Sequence, residues 1–385
     1  MKNATAKTAQ PKKQPERKSA EVGSVKLEYV RKRATVAKLF HLEDLANVYP
    51  SLNEYVPVRV YYIAGTDTEF DHPMVPNINM NYKFDVFELA VLLPYFIGCK
   101  GFPPYLYGLH GTGKSSVVEQ IHARLGLPKA HIILGEDSEV LSLGGQMLPT
   151  EAGSMRFHEG LLVQSMRYGW TLQIDEYDLF PTRQQKMLNE VLENRRFTIE
   201  ETGVCVEAHP DWRICVTGNT NNTGSGHHMF TSSGSGDASV NERFQFVEKH
   251  YMSLDDERQV LINHARSLLP KHPKLSKNPA DLDKLMIGIE QMINQMLDVA
   301  KTIRTAHENS MNASQDGVTL NCTMSTRALK EWLRCTIDLS AFFNGAKNDV
   351  LRDLTRRSLL TTFVRGVDAE EQQDVLQIFD DLLNI

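Results

Sequence analysis

The residues best suited to chemistry are the run Gly108-Leu109-His110-Gly111-Thr112-Gly113-Lys114-Ser115. It fits the pattern GxxxxGK[ST] at every fixed position. Glycines let a backbone curl until its N–H groups point at phosphate oxygens. The positive end of a following helix strengthens that field. Lys114 is then expected to reach the β- and γ-phosphates of a nucleotide, and the Ser115 hydroxyl to ligate Mg²⁺. With Ser116, residues 108–116 form the expected ATP-binding segment. A second group is Asp175-Glu176, which closes the apolar run Trp170-Thr171-Leu172-Gln173-Ile174. At the C-terminal edge of a parallel sheet, where ligands bind, Asp175 can hold the water shell of Mg²⁺. Glu176 can polarise a water for in-line attack. A third is Asn219, after the strand-like run 212–217, where a polar side chain would hydrogen-bond the γ-phosphate or the attacking water.

These groups need a scaffold, and the pattern supplies one. Residues 105–107 read as a strand entering the glycine loop, and 115–125 as the helix leaving it. Residues 130–134, 170–174, 212–217 and 245–248 are β-rich and apolar, the remaining strands of a core sheet. Two hairpins interrupt the order, 146–148 with 155–158 and 197–200 with 204–207. Helical spacing marks 159–167 and 181–193. An interrupted helix begins at 139–143, and 221–239 is Gly/Ser-rich, reading as a mobile loop. His227-His228 lies in that loop; adjacent histidines with no third ligand at fixed spacing are weak evidence for a metal. Upstream, 84–96 has helical spacing with Pro94 near its end, 39–48 is a short helical pattern and 56–63 a β-rich run. Beyond about 251 helical runs dominate: 254–269, 280–303, 326–343, 350–364 and 370–383.

Composition bounds the rest. The chain has 385 residues, 41% hydrophobic and 23% charged, enough for two or three domains of ordinary soluble type. A net charge of -6 gives no global argument for nucleic acid or anionic membranes. The strongest apolar run, 89–97, is too short to span a bilayer, and the N-terminus shows no signal core. Five scattered cysteines without a CxxC pair favour reduced thiols and a cytoplasmic setting. The expected organisation is a basic disordered tail (1–36), a small N-terminal segment (37–83), an α/β nucleotide-binding domain (84–250) and a helical domain (251–385). The tail's basic residues, among them Arg31-Lys32-Arg33, leave an acidic partner or nucleic acid open.

The stretches GLHGTGKSSVVEQIHARLGLP, LQIDEYDLF, VLENRRFTIEE, HPDWRICVTGNT, NERF and STRAL resemble the AAA+ ATPases. The two hairpins make the likeness one to their MoxR/chelatase branch, nearest to the CobS subunit of aerobic cobaltochelatase. The resemblance runs from about residue 75 to at least 329. It implies an α/β P-loop AAA+ parallel-sheet domain with helix-2 and pre-sensor-1 hairpin insertions, followed by an all-α lid. It implies Walker A roles for Lys114 and Ser115, Walker B roles for Asp175 and Glu176, and sensor 1 at Asn219. Arg243 falls at the arginine finger and Arg327 at sensor 2. Glu242 stands where Asp usually precedes the finger, and Thr326 where proline precedes the sensor-2 arginine. The implied activity is Mg²⁺-dependent ATP hydrolysis in a hexameric ring that remodels or activates a partner, such as the metal-binding, integrin-like subunit of a chelatase. The alternatives are a nucleic-acid-associated motor and a nucleotide-gated assembly scaffold.

Overall fold

The computed structural model describes residues 18–22, 25–98, 101–133, 143–151, 153–222, 238–271, 279–311, 319–342 and 348–383. Residues 1–17 of the expected tail, positions 139–142 of the interrupted helix, the His227-His228 pair and Cys99 lie outside them. Among the described residues no helix is long and apolar enough to cross a membrane.

The chain first forms β1 (Lys18–Val22) and β2 (Val25–Thr35), which pair with β3 (Tyr55–Ile63) in an antiparallel sheet of order β1-β2-β3. The expectation of a disordered tail to residue 36 is corrected here. Its basic residues disguised a strand: Leu27 and Tyr29 are buried and pack on Tyr61, while Arg31 and Lys32 are exposed. Those two cations are engaged within the fold, Arg31 with Asp211 (3.2 Å) and Lys32 with Glu69 (3.3 Å). Asp211 also takes the Tyr29 hydroxyl (2.9 Å) and Arg59 (3.0 Å), which ties this sheet to the loop before a core strand. The helix expected at 39–48 is shorter and earlier. It is α1 (Val36–Phe40), capped by Thr35 and stopped by His41 in the left-handed conformation.

Helix α2 (Val86–Gly98) begins and ends two residues later than expected and carries Pro94 inside. It packs through Leu89, Leu92, Leu93 and Phe96 on α3 (Lys114–Leu125) and on the sheet. The sheet is five-stranded and wholly parallel. Its strands are β4 (Pro104–Tyr107), β5 (Lys129–Ile133), β8 (Thr171–Asp175), β11 (Arg213–Gly218) and β12 (Gln245–Glu248), in spatial order β12-β4-β11-β8-β5. Central β11 is buried along its whole length, as near-continuous apolar runs in parallel sheets require. The order turns back on itself at β4, whose neighbours β11 and β12 both come much later in the chain. Ligands of such sheets bind at the carboxyl ends of the strands beside that switch point.

Between these strands stand the two hairpins, β6 (Gly145–Pro149) with β7 (Met155–Glu159) and β9 (Arg196–Ile199) with β10 (Val204–Glu207). The second buries Phe197, Ile199 and Val206 in the core; the first holds Met147, Leu148 and Met155 out in solvent. Helix α4 (Leu161–Tyr168) follows the first hairpin. The single helix expected at 181–193 is two, α5 (Thr182–Met187) and α6 (Asn189–Asn194), divided at buried Leu188. A short α7 (Ala238–Asn241) precedes β12.

The described residues beyond 253 are mainly helical: α8 (Leu254–Leu268), α9 (Pro279–Met311), α10 (Thr326–Phe342), α11 (Asn348–Thr362) and α12 (Gln372–Leu382). They share a core built on Trp332, Phe379, Ile293 and Leu333. Helix α9 extends eight residues past the expected end at 303. Arg304 and His307 broke the apolar pattern there, yet both are buried with partners, Arg304 on Glu257 and His307 on the Leu320 carbonyl.

Candidate functional site

The loop between β4 and α3 sits at the switch point. Its glycines are required by space as well as by φ. Gly108 has φ 141°, and a Cβ there would stand 2.2 Å from the Lys249 carbonyl oxygen. Gly111 has φ 74°, and its Cβ would meet that of Ser325 at 2.3 Å. No L side chain is tolerated in either place without displacing backbone.

Around this loop the fold gathers five of the expected residues into two adjoining polar groups, Lys114 with Asn219 and Glu176, and Ser115 with Asp175. Lys114 Nζ donates to the Gly108 carbonyl (2.7 Å), the Leu109 carbonyl (3.0 Å) and Asn219 Oδ1 (3.0 Å). Asn219 Nδ2 donates to Glu176 Oε2 at 2.9 Å. Ser115 Oγ donates to Asp175 Oδ2 at 2.8 Å. Asp175 lies on β8, one strand away from β4, and reaches across β11. Burial lowers the pKa of Lys114, opposed by Glu176, Asp178 and Asp175. Burial pushes the Asp175 carboxyl up, but hydrogen bonds from His131, Gln173 and Ser115 and the His131 charge outweigh it. The carboxyl is held well below the usual carboxylate range. It is thus a standing anion beside the helix N-terminus. Ser115 and Asp175 present hard oxygens, the donor set magnesium takes when substrate phosphates and water complete its shell. Among the described residues no cluster of three or more His, Cys, Asp or Glu side chains could hold a metal alone.

Glu176 has φ 59°, rare for a residue with a side chain. The chain turns sharply there into a 3₁₀ turn, Tyr177–Leu179. Strain of this kind persists where surrounding structure holds it, commonly at functional sites. Here Asn219 holds the carboxylate.

Two expected residues stand apart from these groups. The Arg243 guanidinium contacts the Ser239 carbonyl and the Glu193 carboxylate. Arg327 is exposed in the first turn of α10, two residues from Ser325, which packs on Gly111. A cation there opposes the helix dipole, so its position is not explained by helix stability.

Several participants were not anticipated. Asp178, fully buried, takes the backbone N–H groups of Asn219 and Thr220 (2.9 Å each) on one oxygen, together with the Thr220 hydroxyl (3.0 Å). It fixes the end of β11 and so aims Asn219. The acidic run Asp175-Glu176-Tyr177-Asp178 was the available signal. Thr217, Gln173 and His131 all bind Asp175 (2.9, 2.7 and 2.8 Å). They lie on three different strands, so nothing in linear spacing joins them. Tyr251 donates to the His110 carbonyl (2.9 Å), linking the helical region to the glycine loop.

Comparison with known proteins agrees with this geometry. Residues 104–233 match the family described as AAA domain (dynein-related subfamily). Midasin of Dictyostelium discoideum is 28% identical over 225 residues, 57% of this chain and 4% of midasin. The aerobic cobaltochelatase subunit CobS of Sinorhizobium sp is 29% identical over 181 residues, 42% of this chain and 52% of CobS. The von Willebrand factor A domain-containing protein 8 of Mus musculus is 31% identical over 128 residues, 30% of this chain and 7% of that protein. The match thus spans about half of CobS and a small part of the other two. CobS is one similar protein among several and is not singled out by identity.

Proposed function

We propose that this chain, whose residues 104–233 are an AAA-type ATPase domain of the dynein-related, MoxR-like branch, is a magnesium-dependent ATPase that works as a ring and drives a partner protein. The observation that carries the reading is the gathering of two hydrogen-bonded groups at the sheet's carboxyl edge, Lys114 with Asn219 and Glu176, and Ser115 with Asp175.

Each side chain has work to do there. Lys114 exchanges its two loop carbonyls for β- and γ-phosphate oxygens, so the ammonium is already desolvated and aimed before ATP arrives. Ser115 and Asp175 would hold magnesium, which when bound neutralises charge on the β- and γ-phosphates. Glu176 orients a water in line with the γ-phosphorus and accepts its proton as the bond to the bridging oxygen breaks and ADP leaves. Asn219, touching both Lys114 and Glu176, senses whether a γ-phosphate lies between them. Arg327 reaches the phosphates from the helical lid. Arg243 leaves Glu193 to serve the site of a neighbouring subunit, which one head-to-tail interface repeated around an axis would supply; we take the ring to be a hexamer. The name of the mouse relative, and the cobaltochelatase role in the name of CobS, support a partner carrying a metal-binding, integrin-like domain.

The test is the ATPase rate per subunit against protein concentration, with the particle mass measured beside it. An arginine acting in trans is worth roughly 10³–10⁵ in rate, so the rate should climb steeply as a ring-sized species forms. Arg243→Ala should be inactive alone and partly rescued by mixing with inactive Lys114→Ala subunits. A flat rate from a monomer would end the ring reading and leave the ATPase.

A further inference from the structure

We infer that Glu88 and Lys249 form a base-reading pair that selects adenine over 6-oxo purines. The inference rests on the nucleotide reading above and adds to it the determinant of base choice.

The strand order says where the base must go. The side chains at the sheet's carboxyl edge suited to the γ-phosphate lie from β4 toward β11 and β8: Lys114, Asn219, Glu176 and Asp175. A nucleotide with its γ-phosphate there extends its base toward the other flank of β4, occupied by β12. Lys249 follows directly after β12 on that flank. Its N–H donates to the Tyr107 carbonyl (2.7 Å), and its own carbonyl closes on Gly108. Its Cε would lie 3.9 Å from a Cβ built on Gly113, so the side chain runs along the glycine loop.

The Lys249 ammonium donates to Glu88 Oε2. Glu88 stands in the first turn of α2, its N–H held by Asp85 at 2.8 Å. The residue is only 8% exposed, and its second oxygen, Oε1, is buried with no hydrogen-bond partner among the described residues. Buried carboxylate oxygens without a donor are rare in folded proteins. Here a free acceptor stands beside a charged donor, at the edge of a nucleotide loop. The edge of adenine is the complement: an N6 amino donor next to a ring-nitrogen acceptor. N6–H fits Glu88 Oε1, and the ring nitrogen fits the Lys249 ammonium. Guanine and hypoxanthine put a carbonyl oxygen where the amine was. It would face the carboxylate with no proton between them.

The experiment is calorimetric binding of ADP and inosine diphosphate to the full chain. The two differ at position 6, amine against oxygen, with the attendant N1 proton. A hydrogen bond to a charged group is worth about ten- to a hundredfold, so ADP should bind tighter by that ratio. In Glu88→Gln, an amide that can turn its N–H₂ toward the 6-oxygen, the ratio should fall to about one or invert, with tripolyphosphate affinity unchanged. Equal binding of the two diphosphates by the unaltered protein overturns the inference, whatever the variant does. So does a Glu88→Gln protein that keeps the full preference for ADP. Failure to bind either diphosphate would instead remove the nucleotide reading beneath it.

Discussion

Asp175 and Glu176 are neighbours in sequence and opposites in environment. Asp175 is held as an anion by a hydroxyl, an amide and an imidazole from β5, β8 and α3, joined by the Thr217 hydroxyl of β11. It is fit to hold a cation and unfit to accept a proton. Among the described residues the Glu176 carboxylate takes one hydrogen bond, from Asn219 Nδ2, and its backbone is left-handed. In the proposed mechanism it is the residue that takes a proton from water. Glu176→Gln should therefore keep ATP affinity and lose turnover by roughly 10²–10⁴. Single-turnover phosphate release beside equilibrium binding separates the two effects. Undiminished turnover in this variant would take Glu176 out of the chemistry.

At the scale of elements, the seam between the sheet domain and the helices decides how the site can move. Tyr251 binds the His110 carbonyl, and its ring lies under the Arg304 guanidinium, 4.1 Å from the centroid. Arg304 forms two hydrogen bonds with Glu257 (2.8 and 2.9 Å), and Glu257 also takes the Thr326 hydroxyl at 2.6 Å. Thr326 opens α10, which carries Arg327. A chain of polar contacts thus runs from the loop at His110 to the base of the helix bearing Arg327. The Thr326 hydroxyl is what lets α10 join this chain; a proline there would have none. The packing of Ser325 on Gly111 closes the seam from the other side. Gly111→Ala should then weaken nucleotide binding by pushing α10 away, and Ser325→Gly in the same protein should restore part of the loss. The strain of an alanine at φ 74° will remain. Nucleotide titrations of the single and double variants check this; no rescue would mean the loop, not the seam, bears the damage.

The whole molecule depends on pH through buried imidazoles. His122 is fully buried between the Val118 carbonyl and the Thr171 hydroxyl, 2.7 Å from each. Its Nδ1 must donate to the carbonyl, leaving Nε2 to accept. Burial lowers its pKa from 6.5 to about 3. His72, beneath the N-terminal sheet, is lowered by burial to about 4. Below pH 6.5 the unfolded chain takes up protons that the folded chain refuses. Stability is thus fully present above that pH and falls as the pH drops toward the folded values. For His122 alone the loss between pH 6.5 and 5 is about 2 kcal/mol. Urea denaturation across this range should show the decline, and His122→Gln should flatten it. Asp211 ties the N-terminal sheet to the loop before β11 by binding Tyr29, Arg31 and Arg59 at once.

The glycine loop, the Asp-Glu strand end, the Asn strand end, both hairpins and the helical second half were legible in the sequence, because each is a local pattern. Apolar period, turn residues and the fixed spacing of GxxxxGKS need no distant partner to be recognised. What only the tertiary structure decided depends on partners far along the chain. The basic segment at 25–35 is a strand because 55–63 lies beside it and Asp211 neutralises its arginine. Helix α9 runs on through Arg304 because Glu257, 47 residues away, accepts its charge. Asp175 on β8 sits next to Ser115 in the first turn of α3 although 60 residues separate them, and Glu88 meets Lys249 across 161 residues. Burying a charge is costly unless a partner meets it, and only the folded chain shows which partners those are.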